Sequence, residues 1–236
     1  MGLRTALGLK KPKSDAQQPA PQPELLPRET QTPQYIRPAG FREPRDINDV
    51  FGKRFRSRYD LAKLTTPGAV GIELGVARGW FSERLLSTGV FAHLYSVDRW
   101  DGDRGHDINQ YKMALRALAP YRDQSTCLRM FFDEALDLFP DQHFDFIYID
   151  GYAHTGQHGG KTLEDWWPKL KPGGVFSGDD YSQNWPLTME AVDAFAHSHG
   201  VELCVLTPTE IESPLSKDPS WVCLTKELLA RESASS

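Results

Sequence analysis

From about residue 46 the apolar positions of this chain follow two alternating rhythms. Short unbroken apolar runs are the mark of buried strands, and apolar residues three and four apart are the mark of amphipathic helices. The pattern predicts a helix over Asp46 to Lys63, then a strand over Ala69 to Leu74 that runs into a glycine turn and a helix through Leu86. A strand at His93 to Asp98, a helix at Ile108 to Ala119, a strand at Thr126 to Phe132 and a short helix at Glu134 to Phe139 follow. Beyond them come a strand at Phe144 to Asp150, a helix at Thr162 to Leu170, a strand at Gly174 to Ser177 after the turn Lys171 to Gly174, and a helix at Leu187 to Ser198. Strands at Val201 to Leu206 and Trp221 to Thr225 close the series. Strands separated by helical stretches form a parallel sheet through right-handed crossovers, with helices on both faces. The expected fold is therefore α/β, a doubly wound and mostly parallel sheet.

Upstream of residue 46 the rhythm is absent. Eight of the 17 prolines fall there among Gln, Ala, Ser and Lys, so residues 1–45 read as a flexible Pro-rich segment or one that folds over the site. Tyr35, Ile36 and Phe41 are its candidate anchors. Residues 46–228 form the expected domain and 229–236 a C-terminal tail. The formal net charge is −5, but the first 45 residues hold eight Lys/Arg against four Asp/Glu, and the remainder holds 19 against 28. An acidic body matches a nucleic acid poorly, because phosphate contacts supply much of that affinity, and a small-molecule partner is expected instead. No run approaches the roughly 18 apolar residues of a membrane span, and the first residues lack a secretory apolar stretch, so a cytoplasmic protein with no membrane partner is expected. Cys127, Cys204 and Cys223 lie far apart in apolar stretches and suggest neither a paired metal motif nor a disulfide framework. The oligomeric state is open, a homo-oligomer included.

The first strand ends in Glu73-Leu74-Gly75-Val76-Ala77-Arg78-Gly79-Trp80-Phe81-Ser82. Glycines let a backbone turn sharply and approach a ligand closely, and the amides at the start of the next helix are free to donate. The dinucleotide fingerprint requires G-x-G-x-x-G, whereas here Gly75 and Gly79 stand four apart behind an acid. Asp98 ends the second strand, 23 residues after Gly75, where a carboxylate can accept both ribose hydroxyls of an adenosyl ligand. Glu73 lies near the same crevice and could orient the amino-acid end of that ligand. Each glycine alone is as well read as a simple turn.

With those residues in place the chain resembles the class I methyltransferases, over about residues 66–226. Glu73-x-Gly75-x-x-x-Gly79-x-x-Ser82 resembles their first motif and Tyr95-Ser96-Val97-Asp98 their second. Phe144 to Gly151, Trp166 to Val175 and Asp179-Asp180-Tyr181 are similar to the methyltransferase 24 family, itself similar to the metal-dependent catechol and sugar O-methyltransferases. The resemblance implies a Rossmann-like seven-stranded sheet of order 3-2-1-4-5-7-6 with the last strand antiparallel. It implies S-adenosyl-L-methionine as cofactor, with Glu73, Gly75, Gly79, Ser82, Asp98 and Asp150 around it and Asp133 and Glu134 in the adenine segment. Where the family has Gly-Asp-Ser before that segment, this chain has Met130-Phe131-Phe132.

Asp150 and the pair Asp179-Asp180 fall at the ends of the fourth and fifth predicted strands, roughly 5 Å apart in a sheet. Three carboxylates at one edge repel one another unless protons or a cation neutralise them, and oxygen-only ligands suit Mg²⁺ or another hard divalent ion such as Mn²⁺. In the resembling O-methyltransferases these three positions hold the metal. The alternative is that Asp179 and Asp180 cap the next helix or bond loop amides. His154, four residues past Asp150, could serve as general base toward a hydroxyl acceptor of sugar or catechol type. Rival readings are a metal-independent N- or C-methyltransferase and a module that binds the cofactor without catalysis.

Overall fold

The computed structural model describes residues 34–52, 54–102, 105–151, 159–209 and 218–234. Its strands are β1 (Arg45–Asp46), β2 (Ala69–Leu74), β3 (Phe91–Asp98), β4 (Ser125–Arg129), β5 (Phe144–Ile149), β6 (Leu170–Gly178), β7 (Glu202–Leu206) and β8 (Ser220–Leu224). Its helices are α1 (Ile47–Phe51), α2 (Trp80–Ser87), α3 (Ile108–Leu118), α4 (Phe132–Leu136), α5 (Lys161–Trp166), α6 (Pro186–His199) and α7 (Lys226–Ala234), with a 3₁₀ turn over Arg58–Leu64.

The strands form one sheet in the order β1-β7-β8-β6-β5-β2-β3-β4. β8 runs antiparallel to both β6 and β7, and the remaining pairs are parallel. Without the two-residue β1, the order is the expected 3-2-1-4-5-7-6. The order reverses beside β2, whose neighbours are β3 and β5, and a doubly wound sheet opens its ligand crevice there, beyond the carboxyl ends of its strands.

Alternation along the strands supplies a core on each face. On β5, Phe146 and Tyr148 join a cluster with Leu61, Phe81, Leu85 and Leu228 under the 3₁₀ turn, α2 and α7. Ile147 and Ile149, with Phe144 ahead of the register shift between Phe144 and Phe146, join Leu163, Trp166, Val192 and Phe195 under α5 and α6. Helix ends follow local chemistry. Asp107 caps α3 by accepting from the amides of Asn109 and Gln110 at 2.9 and 3.0 Å. α6 starts on Pro186 and stops at Gly200, whose φ of 63° is open to glycine.

Three expected elements differ. The helix over Asp46 to Lys63 is split, because Gly52 turns left-handed at φ 82° and the Asn48 side chain bonds the Phe55 amide and carbonyl. The turn at Lys171 to Gly174 lies inside β6, where the register shifts so that Phe144 faces Leu170 and Phe146 faces Val175. Residues 226–234, read in part as tail, form α7, which Arg231 ties to the Leu64 carbonyl. Among the described residues no helix is long and apolar enough to cross a membrane.

Candidate functional site

The glycine turn is held by positions that tolerate no side chain. Gly75 has φ +99°, and a Cβ there would lie 2.0 Å from the Asp150 carbonyl oxygen, so glycine alone lets the end of β2 lie against the end of β5. Its amide donates to the Val97 carbonyl at 2.8 Å, locking the turn to β3. Gly79 has φ +80°, and a Cβ would stand 2.8 Å from Ala114 Cα, so it sets how closely α2 starts beside α3.

Asp98 stands at the end of β3 as expected, nearly buried. Its Oδ2 accepts from the Val76 and Ala77 amides at 3.0 and 2.9 Å, and its Oδ1 from the Trp100 amide at 3.3 Å. His106 Nδ1 lies 3.4 Å from Oδ2. Burial alone would raise the carboxyl, but His106 and the loop amides hold it below the ordinary carboxylate range. A carboxylate that is charged and already oriented suits a ligand rich in hydroxyls. Trp100, fully buried at φ 45°, donates its Nε1 to the Ala77 carbonyl at 2.7 Å and closes the turn from outside.

Glu73 is buried on the face of β2 that α2 covers, and there it takes a hydrogen bond from Ser82, whose hydroxyl also lies 2.7 Å from that of Ser96. Burial pushes the Glu73 carboxyl up to about 8, against the pull of Ser82, with Asp150 adding to the rise.

Asp150 and Asp179 come together at the ends of β5 and β6, and Arg58 reaches between them. Its Nη1 lies 2.7 Å from Asp150 Oδ2 and 2.8 Å from Asp179 Oδ2, while its guanidinium sits 4.5 Å from the centre of the Phe81 ring. Ser220 donates to the other oxygen of Asp179 at 3.2 Å. Burial and the neighbouring Asp179 push the Asp150 carboxyl up to about 7 against the pull of Arg58, and burial with the charges of Asp150 and Asp179 pushes Asp180 up to about 8. Asp180 turns away from regular strand geometry at φ 65°. Neither aspartate caps α6, whose N-cap position is Trp185.

Of the three aspartates expected to hold a metal, Asp150 and Asp179 meet at Arg58. Among the described residues no group of three or more His, Cys, Asp or Glu is gathered to hold an ion. Two of the three carboxylates instead share one guanidinium nitrogen. Arginine keeps its charge at any ordinary pH, so these residues do not fit a divalent ion as they stand.

Asp133 and Glu134 lie exposed in the first turn of α4, where Glu134 accepts from the Phe131 amide at 2.9 Å and Asp133 from the Glu134 amide at 3.1 Å. Phe132 lies against Gly151, since a Cβ on that glycine would come within 2.3 Å of its ring. His154 and His158 lie outside the described residues. Arg58, Trp100 and His106 were not among the expected site residues. Only Arg58 left a trace in the sequence, the pattern Ser57-x-x-Asp60 that marks the start of its turn.

A family model described as a methyltransferase domain matches residues 70–181, from β2 to just past Asp179-Asp180. Among solved structures, spermidine synthase from Thermotoga maritima is 14% identical with a TM-score of 0.56, and the match covers 78% of this chain and 62% of that one. An O-methyltransferase from Bacillus cereus in complex with SAH is 15% identical with a TM-score of 0.52, covering 70% of this chain and 77% of that one. Precorrin-6y C5,15-methyltransferase from Geobacter metallireducens GS-15 is 16% identical with a TM-score of 0.50, covering 70% and 86%. At these identities the likeness shows the fold, and this chain spans less than two thirds of the synthase. No curated protein matches the chain. The stretch around the glycine turn thus matches a methyltransferase domain model in sequence, and its sheet has the fold that these structures share.

Proposed function

We propose that this protein is an S-adenosylmethionine-dependent methyltransferase that methylates an oxygen of a small hydroxyl-bearing molecule. The observation that carries the reading is the pairing of the Gly75 to Gly79 turn with the Asp98 carboxylate, inside the stretch that matches a methyltransferase domain. The turn would receive the amino-acid end of the cofactor and Asp98 its ribose hydroxyls, with Glu73, Ser82 and Asp150 close by. Asp133 and Glu134 at the start of α4 would lie toward the adenine. The strongly acidic body supports a small-molecule acceptor over a nucleic acid.

In such a transfer the methyl carbon leaves sulfur as its bond to the acceptor oxygen forms. The sulfonium becomes a neutral thioether, and the hydroxyl proton passes to a base. Holding the three reacting atoms in line is the larger part of the catalyst's task. His154 follows Asp150 closely enough in sequence to serve as that base, which supports assigning it the proton. No step is routed through a metal ion, because Arg58 stands between two of the three carboxylates expected to hold one.

Calorimetry with S-adenosylmethionine and its demethylated product tests the cofactor assignment. Hydrogen bonds to a charged group are each worth about 1.5–3 kcal/mol, so losing the two from the ribose in Asp98→Ala should weaken binding about 10²- to 10⁴-fold. No binding to the wild type would overturn the reading, and unchanged affinity in the variant would remove Asp98 from it. With an acceptor in hand, His154→Ala should lower kcat about 10²- to 10⁴-fold and leave cofactor affinity intact.

A further inference from the structure

Arg58 belongs to neither strand whose carboxylates it joins. It opens the 3₁₀ turn Arg58–Leu64, and that turn is fixed from behind. Leu61 and Leu64 are fully buried, and Asp60 accepts from the Arg56 and Ser57 amides at 2.7 and 3.1 Å. The turn therefore delivers the guanidinium from a packed support. At the far end, Nη1 alone contacts both Asp150 Oδ2 and Asp179 Oδ2, and the Arg58 side chain is only 15% exposed. The second oxygen of Asp179 is held by Ser220, itself 2.8 Å from the Tyr148 hydroxyl.

A divalent ion shared by those two oxygens would have to occupy the space where Nη1 stands. Mg²⁺ needs its oxygens at about 2.0–2.1 Å, and a guanidinium cannot give up its charge to make room. The two cations exclude each other by volume and by repulsion in a poorly solvated place.

We propose that Arg58 is the resident cation of this carboxylate pair. While it is in place the crevice takes no divalent ion, and removing the guanidinium turns Asp150 and Asp179 into a site for a hard divalent cation. The inference stands apart from the methyl-transfer reading, since ion binding needs neither cofactor nor acceptor.

The test is titration of the full chain with Mn²⁺ alone, read by the loss of the free-ion spin resonance signal. The wild type should show no saturable binding. Arg58→Ala, or Arg58→Met where alanine does not fold, should bind one ion per chain at least about ten-fold more tightly. Adding Asp150→Asn to that variant should abolish the gain. Saturable binding to the wild type that Asp150→Asn or Asp179→Asn removes would overturn the proposal. So would a folded Arg58 variant that binds no better than the wild type. If neither Arg58 variant folds, the wild-type titration decides alone. A separate measurement of cofactor turnover in excess chelator should find the wild type fully active. Absent turnover with or without ions would count against the methyl-transfer reading and leave the ion result standing.

Discussion

Gly75 shows how much a single position can carry. Its φ of +99° is unfavourable for any side chain, and a Cβ would strike the Asp150 carbonyl at 2.0 Å. Gly75→Ala should cost about 2–5 kcal/mol, the joint scale of a strained backbone and an overpacked contact, measured by urea denaturation. Because the contact is with the end of β5, cofactor affinity should fall with stability. An alanine variant as stable as the wild type would show that β2 and β5 do not meet there as described. The importance of this glycine was legible in the sequence, since spacing behind an acid marks a turn. The contact with Asp150, 75 residues away, was not, because sequence spacing carries no information on which strand lies alongside. Arg58 makes the same point. A lone arginine in a basic stretch reads as solvated surface, and only its distance to Asp150 and Asp179 reveals a charge held between strands.

At the scale of elements, the segment ahead of β1 has no apolar rhythm of its own in the sequence, yet residues 34–44 lie along α6. Asp193 of α6 is nearly buried and accepts from the Tyr35 hydroxyl and Arg37 Nε, each at 2.7 Å, and from the Tyr181 hydroxyl. Gln183 bonds both the amide and the carbonyl of Tyr35, and Phe41 stacks on His197 with ring centres 4.2 Å apart. Removing one partner of a buried ion pair leaves the other uncompensated, so Asp193→Ala should lose about 3 kcal/mol or more in denaturant titration. Trypsin should then cut after Arg42 faster, because the segment is no longer held. Asp193→Asn, which keeps acceptor oxygens, should recover part of both. Equal cleavage in wild type and Asp193→Ala would mean that other contacts hold the segment. Local pattern predicted most elements but not this attachment, since its contacts cross some 150 positions of sequence. The break at Gly52 was missed because the apolar spacing on its two sides suits one continuous helix.

For the whole molecule, the buried acids set how stability depends on pH. Glu73 is pushed up to about 8 from an ordinary value of 4.5, and Asp150 and Asp180 to about 7 and about 8 from 3.8. Between the unfolded and folded values the native state holds more protons than the unfolded chain. Stability should therefore fall as pH rises from about 4 to about 8 and level off above. Asp60 and Asp98, both held below their ordinary value, act in the opposite sense and withdraw stability as pH falls from that ordinary value through their folded pKa. The optimum should lie in mildly acid solution, read from urea midpoints across pH 4–9. Glu73→Gln keeps a partner for Ser82 without a titrating proton, and it should flatten the decline between pH 5 and 8. A slope identical to that of the wild type would place the effect elsewhere. The sequence by itself determined the order and kind of nearly every strand and helix, the glycine turn and the acids at the strand ends. These depend on short-range periodicity and on residue types that suit a turn or a strand end. Only the tertiary structure decided which charge neutralises those acids. A site with oxygen ligands alone and one completed by a guanidinium from a distant turn share the same aspartates, and the difference lies in how the turn over Arg58–Leu64 packs against the sheet.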